Sequence, residues 1–76
     1  MDEKTTTPIR LLSRKQLEEK LCLAKSAIYA RLDQRHPSYD ETFPKPIDLG
    51  GGKNPPIRWI EQEVDEWIYE QIKRRT

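Results

Sequence analysis

The sequence predicts a small α+β domain with three helices and one two-stranded hairpin. Apolar residues recur at helical spacing in two regions, 17–32 and 61–74. Between them lies a proline-rich segment that leads into two short alternating stretches separated by three glycines. A chain of 76 residues is enough for one domain. Such a chain buries only about 60% of the surface that its unfolded form exposes, so the core must be small.

The N-terminal part contains a tail, a short extended segment and a helix start. Residues 1–8 (MDEKTTTP) have no apolar run, which excludes a signal peptide, and we expect them to be disordered, with the folded domain spanning 9–76. Ile9–Leu12 is a short apolar segment, predicted to be a strand or an extended lead-in. Ser13 and Gln16 have the spacing of a capping box, so the first helix is expected to begin directly after Ser13.

The stretch after this N-cap has two interpretations. Five apolar residues recur every three or four positions: Leu17, Leu21, Ala24, Ile28 and Leu32. Neither Gly nor Pro interrupts them, which allows one helix over residues 14–33. Leu23 lies off that stripe, however, and a helix of that length would leave so small a domain hard to close around a core. We therefore favour two short helices joined by a tight turn at Leu21–Ala24.

A loop and a hairpin are expected next. Residues 34–46 contain three prolines and are predicted to be irregular, with Tyr39 and Phe43 holding the loop against the core. Residues 47–49 and 57–59 alternate like strands on either side of a flexible glycine-rich tip. Two prolines at the end of that tip lack amide donors and keep the start of the second strand out of a central ladder.

The last helix, from about Glu61 to Arg74, has the clearest pattern. Its apolar face consists of Val64, Trp67, Ile68 and Ile72. Acids crowd its first half and bases its end, an order that complements the helix dipole and explains the carboxylates without an acid–base site. The predicted core has ten members: Leu17, Leu21, Leu23, Ile28, Leu32, Ile47, Trp59, Val64, Trp67 and Ile68.

The chain has little material for catalysis or for a cofactor. Cys22 is the only cysteine and His36 the only histidine, which excludes an internal disulfide and a zinc site of four Cys and His ligands. Cys22 lies in an apolar run, where packing explains it better than a Cys–His nucleophilic pair. The three glycines lack the spacing of a nucleotide-binding loop. We expect no enzyme activity, no catalytic residue, no metal and no cofactor. Cysteine usage and the lack of a membrane-spanning stretch indicate a cytoplasmic protein.

Charge is unevenly distributed, although the net charge is only +1 at pH 7. Residues 20–58 contain seven Lys and Arg against four acids, whereas residues 60–76 contain three against five. A helix pair followed by a glycine-rich hairpin is the winged helix-turn-helix arrangement, in which the second helix enters the major groove and the wing contacts the backbone. The sequence therefore predicts a module that binds double-stranded DNA, with its acidic last helix facing away.

Five motifs follow one another in register along the chain. They are Arg10-Leu11-Leu12-Ser13, Ser26-Ala27-Ile28-Tyr29, Phe43-Pro44-Lys45-Pro46-Ile47, Arg58-Trp59 and Glu63-Val64-Asp65-Glu66-Trp67-Ile68. With them, about residues 9–72 resemble the AlpA family of phage-type transcriptional regulators, relatives of excisionases and of the MerR-type winged-helix domain. The resemblance implies a sequence-specific DNA-binding regulator of prophage or mobile-element genes, or an excisionase-like architectural factor. It implies integrase or RNA polymerase as further partners.

The resemblance also maps the DNA-contacting parts, with the recognition helix at Ala24–Asp33 and the wing at Leu49–Ile57. Helical geometry turns Ser26, Ala30 and Asp33 away from the core. For Tyr29 the alternative is partial burial against the loop, and for Arg58 it is a salt bridge to an acid of the last helix. The candidate DNA-binding residues are Lys25, Ser26, Ala27, Tyr29, Arg31, Lys53 and Arg58.

The chain departs from the family at the turn between the first two helices. Family members usually have Gly where Cys22 stands and Ser where Ala24 stands, and each loss costs about 1 kcal/mol. A single module buries little DNA surface, so self-association on DNA is expected. One function of a different class stays open: a protein-interaction adaptor, an anti-repressor or integrase partner, that acts through the acidic final helix.

Overall fold

A computed structural model describes residues 8–75. The elements are β1 (Leu11–Leu12), α1 (Arg14–Leu21), α2 (Lys25–Leu32), β2 (Ile47–Asp48), β3 (Ile57–Ile60) and α3 (Glu61–Arg74). The predicted α+β arrangement of three helices and a hairpin is confirmed, and β1 adds a third strand. Of the tail expected at residues 1–8, only the exposed Pro8 lies within the described residues. Between residues 8 and 75 there is no helix with the length and apolar character needed to cross a bilayer.

The start of α1 has the predicted capping box. The Gln16 amide donates to Ser13 Oγ at 3.2 Å, and the Ser13 amide donates to Gln16 Oε1 at 2.8 Å. These two bonds satisfy amides that would otherwise lack a partner at a helix start. Leu17, one turn into the helix, is fully buried, so the cap fixes where α1 enters the core.

The chain breaks into two helices as predicted, which makes the single helix over residues 14–33 wrong. Cys22 ends α1 in the left-handed conformation, with φ 56° and ψ 39°, and the Leu23 amide donates to the Glu18 carbonyl at 3.2 Å. Among the described residues other than glycine, only Cys22 has a positive φ. Ala24 then opens α2 without a side-chain cap. Cys22 and Ala24 thus stand at the two positions where the resemblance implies Gly and Ser.

β3 is the central strand of a three-stranded antiparallel sheet with the order β1-β3-β2. β1 pairs with the end of β3, through Leu11 with Ile60 and Leu12 with Trp59, and β2 pairs with its start. The prolines at 55 and 56 precede β3 and donate no amide to the sheet, but the Pro56 carbonyl accepts from the Leu49 amide at 2.9 Å, so the hairpin continues one bond beyond the strands. α3 begins at the residue that follows β3, with no loop between them.

The core lies between the sheet and the helices. Six buried hydrophobic side chains form it, and Pro44 is buried as well: Leu12, Leu17, Ile28, Phe43, Trp59 and Val64. Five predicted core residues surround them half-buried: Leu21, Leu23, Leu32, Trp67 and Ile68. The prediction was wrong for Ile47, which is half-buried and lies outside this cluster, since β2 is a short edge strand. Ile72 was expected on the apolar face of the last helix, but its side chain is 45% exposed.

Both tryptophans hold the loop before the hairpin, and Phe43 is buried there as expected. Trp59 Nε1 donates to the Pro44 carbonyl at 3.1 Å, and Trp67 Nε1 donates to Asp40 Oδ2 at 3.2 Å. The rings of Phe43 and Trp67 meet edge to face, with centroids 5.0 Å apart. Burial alone would raise the pKa of the Asp40 carboxyl, but hydrogen bonds from Thr42 and from Trp67 outweigh it and leave this pKa below 3.8.

Candidate nucleic-acid interface

The exposed face of α2 is the first part of the candidate site. Ile28 is fully buried, so the residues on the opposite side of the helix face away from the core. Ser26 and Asp33 are exposed, as the helical geometry predicted, whereas Ala30, expected on the same face, is half-buried. Lys25 is exposed at the first helical position. Tyr29 is 38% exposed at the edge of this face, so its hydroxyphenyl ring is only partly covered.

Two of the predicted residues on α2 face in another direction. The Arg31 guanidinium is half-buried, and its Nη1 donates to the Ala27 carbonyl at 2.9 Å. Arg31 also lines a groove next to α3, on the opposite side from Tyr29. Ala27 is half-buried as well. The structure therefore gathers Lys25, Ser26 and Tyr29 on one outward surface and leaves Ala27 and Arg31 on its flank.

The wing is the second part of the candidate site. Gly50, Gly51 and Gly52 have φ of 77°, 91° and 82°, which glycine adopts readily and other residues rarely do. A Cβ at any of the three would meet no atom within 4 Å, so glycine is required here by backbone conformation rather than by space. The Gly50 amide donates to Asp48 Oδ1 at 2.6 Å, which fixes the turn out of β2. Lys53 follows and is exposed.

Arg58 lies at the base of the wing, on the central strand. Its Nη1 donates to the Ile57 carbonyl at 2.7 Å and its side chain is half-buried. Among residues 8–75 it forms no ion pair, so the alternative of a salt bridge to the last helix is not observed. Its charge is thus not neutralised by any acid of α3.

Two basic residues from the N-terminal part of the domain pair with acids of α3. Lys20 Nζ lies 2.8 Å from Asp65 Oδ1 and 3.1 Å from Glu61 Oε2, and Arg10 lies 3.5 Å from Glu61. The hydrogen bonds from Lys20, first to Asp65 and then to Glu61, raise the pKa of its ammonium group above 10.5. Lys20 therefore ties α1 to α3 and does not add to the charge of the α2 surface.

One cation near α2 was not among the predicted residues. Arg35 is exposed three residues after the end of α2, and its amide donates to Asp33 Oδ1 at 3.0 Å in a tight turn. The side-chain turn at Asp33 keeps Arg35 close to the C-terminal end of the outward face. In the sequence, only the position of Arg35 directly after the predicted helix could have indicated that it lies near the DNA-facing surface.

The chemistry of this surface is that of hydrogen-bond donors and positive charge. Lys25, Lys53 and Arg58 offer cations, while Ser26 and Tyr29 offer hydroxyls. Within residues 8–75 no group of three or more His, Cys, Asp and Glu side chains comes together to hold a metal. Cations and hydroxyls on an exposed helix and wing suit phosphate oxygens and base edges.

A helix pair with an exposed second helix, followed by a glycine-tipped hairpin against a central strand, defines a winged helix-turn-helix protein. The family described as Prophage CP4-57 regulatory protein (AlpA) matches residues 10–72. The DNA-binding transcriptional activator AlpA of Escherichia coli (strain K12) is 37% identical over 65 residues, which cover 86% of this chain and 89% of that protein. No solved structure matches. The chain belongs to the AlpA family of prophage regulatory proteins.

Proposed function

We propose that this protein regulates prophage or mobile-element transcription by binding double-stranded DNA, with α2 in the major groove and the wing on the phosphate backbone. One observation carries the proposal: α2 buries Ile28 and exposes Lys25 and Ser26, and the glycine-tipped wing exposes Lys53. The E. coli relative that bears the name of a DNA-binding transcriptional activator supports it. This role needs no catalytic centre, and it is exercised in the cytoplasm, where prophage DNA lies.

Each residue of the surface has a distinct role in this proposal. Lys25 and Lys53 neutralise phosphates on the two sides of the groove, and Ser26 reads a base edge from the first turn of α2. Tyr29 donates its hydroxyl to a phosphate. Arg58 reaches the backbone from the base of the wing. Ala27 lies at the border of the DNA-contacting surface. Arg31 can reach DNA only if its guanidinium breaks the hydrogen bond to the Ala27 carbonyl.

The salt dependence of binding tests the phosphate contacts. Each neutralised phosphate lowers the slope of log affinity against log salt by about 0.9, so three to five contacts give a slope of about −3 to −4.5. Lys53→Ala should weaken binding to all sequences alike and flatten the slope by about one unit. Lys73→Ala is the matched control, because it removes the same charge from α3, where Lys73 pairs with Glu70 at 3.5 Å. Equal effects of the two variants would contradict the proposed wing contact.

The base contact has its own test. Ser26→Ala should change the preferred sequence in a binding-site selection and leave the salt slope nearly intact, because a base-edge contact releases no counterion. A variant with unchanged preference would remove Ser26 from base recognition. Failure of the wild-type protein to bind duplex DNA of its own element at about 50 mM salt would refute the DNA-binding proposal as a whole.

A second function is favoured by one observation on α3. Glu63, Glu66 and Glu70 are exposed in a row along one side of the helix. This row suits a basic surface of an integrase or of RNA polymerase. The protein could use it while bound to DNA in an excision complex, or as an adaptor that binds the partner and no DNA. Replacing the three glutamates with glutamine should abolish excision or activation in cells while DNA affinity is kept. An adaptor acting without DNA would instead show no DNA binding in the wild type.

A further inference from the structure

An open apolar groove of about 400 Å³ lies between the α1–α2 corner and the C-terminal half of α3. Leu21 and Leu23 form one wall, and Trp67, Ile68 and Ile72 form the other. Ile72 is 45% exposed, although it is a large aliphatic side chain. The only α2 residue that lines the groove is Arg31, whose position in the helix lies on the opposite side from Tyr29, so the groove does not include the outward face of α2. The DNA-binding surface proposed above therefore does not account for it.

One stripe along α3, whose C-terminal half borders this groove, has a distinctive order of side chains. Its members are spaced four, three, four and three residues apart, and the last is the C-cap directly after α3, so they follow one face of the helix: Glu61, Asp65, Ile68, Ile72 and Arg75. The stripe is acidic at its start, aliphatic in the middle and basic at its end. Asp65 uses Oδ1 for Lys20, and its side chain remains 47% exposed, so it can accept a further bond.

We propose that a second copy of this chain occupies the groove, with the two α3 helices antiparallel about a twofold axis. Antiparallel pairing centred on residue 70 places Ile68 opposite the second copy's Ile72, and Asp65 opposite its Arg75. Each of these contacts occurs twice, because a twofold interface brings the same patch together from both copies. From Asp65 to Arg75 the stripe is thus complementary to itself in charge and in apolar character, while Glu61 stays paired with Lys20 and Arg10 of its own copy. This complementarity is what selects a second copy over an unrelated partner.

The size of the surface sets the strength of this association. α3 has 14 residues and is about 21 Å long at 1.5 Å per residue, and only its C-terminal half borders the groove. An interface of this extent falls below the size of stable complexes, so association is weak in free solution. Two copies on adjacent DNA sites would have a high effective concentration and would pair there. Pairing on adjacent DNA sites rests on the proposed DNA binding, whereas pairing of two copies in solution does not.

Sedimentation of the protein without DNA, at concentrations up to about 1 mM, tests the pairing directly. We expect a concentration-dependent dimer that does not grow further, because a twofold contact closes on itself. Ile72→Glu should weaken it about 100-fold, since a charge enters the groove at two symmetric positions, each with about a tenfold effect. Leu49→Glu is the matched control: Leu49 is also an exposed aliphatic residue, at 51%, but does not line the groove, so this variant should still dimerise.

A second pair of variants tests the charge complement. Arg75→Glu should weaken the dimer, whereas Arg74→Glu, with the same change in net charge one position away, should not. Both exposed sites leave the core intact, so thermal melts should match the wild type. A wild type that is monomeric at 1 mM, open-ended oligomers, or equal effects of stripe and control variants would each overturn the proposal. Binding of each variant to a single DNA site is measured separately, so loss of pairing and loss of DNA binding are distinguished.

Discussion

Replacing Cys22 with glycine should stabilise the protein. Cys22 adopts φ 56° and ψ 39°, a conformation that costs an L-residue about 1–2 kcal/mol. Glycine removes that cost but adds about 0.4–1 kcal/mol of backbone entropy in the unfolded chain. The exposed side chain loses little, since its one polar contact is a weak bond from Sγ to the Glu19 carbonyl at 3.7 Å. The net gain is about 0.5–1 kcal/mol in the free energy of unfolding.

Thermal and urea melts measure this gain. In a domain of this size, 1 kcal/mol shifts the melting temperature by about 4–8 °C, so we expect an increase of about 2–8 °C. Cys22→Ala separates the backbone effect from the loss of the thiol, because alanine keeps the Cβ and its left-handed cost. That variant should stay within about 0.5 kcal/mol of the wild type. A glycine variant that melts lower than the wild type, or an alanine variant that gains as much, would refute the reasoning.

Other predictions concern the same small fold. Ala24→Ser should add the missing cap of α2 and raise the free energy of unfolding by about 1 kcal/mol. Ala30→Ser, in the helix interior, should not raise it, and urea melts of the two variants measure the difference. Trp67→Phe should cost about 1–2 kcal/mol in the same assay, because Asp40 loses a donor. Because folding lowers the pKa of Asp40, the ionised carboxylate stabilises the folded state above pH 3.8, and this stabilisation is lost as the pH falls through the lowered pKa. Asp40→Asn should therefore make the free energy of unfolding less sensitive to acid, as measured by melts at several pH values. EDTA should leave melting and DNA binding unchanged, as measured by circular dichroism and gel shift.

The features predictable from sequence were those fixed by local chemistry. Ser13 and Gln16 satisfy each other's amides whatever surrounds them, so the start of α1 could be read from two residues. The boundaries of α3 followed from its charge order and apolar spacing. The break between α1 and α2 required an argument about the whole domain, because the left-handed turn is made by Cys22 and not by the expected glycine.

Features that depend on distant parts of the chain were harder to predict. Leu12 and Phe43 enter the core through partners far along the sequence, β3 and Trp67. Local alternation at Ile47 could not reveal that β2 is an edge strand. The position of Arg31 depends on which side of α2 meets the groove next to α3, which helical spacing alone left open. The outward orientation of Lys25 and Ser26 followed from spacing once Ile28 was assigned to the core.

The direct passage from β3 into α3 has a mechanical consequence. Ile60 belongs to the strand and Glu61 to the helix, and the Glu61 amide donates to the Arg10 carbonyl at 2.9 Å. No loop separates the strand from the helix, so only Ile60 and Glu61 are placed to absorb a change in the angle between the wing and α3. If they stay rigid, a change in the wing angle tilts α3 as well. DNA bound to the wing would then change the orientation of α3. If pairing through α3 favours one tilt, it must in turn favour the wing angle that fits DNA, since such coupling is reciprocal.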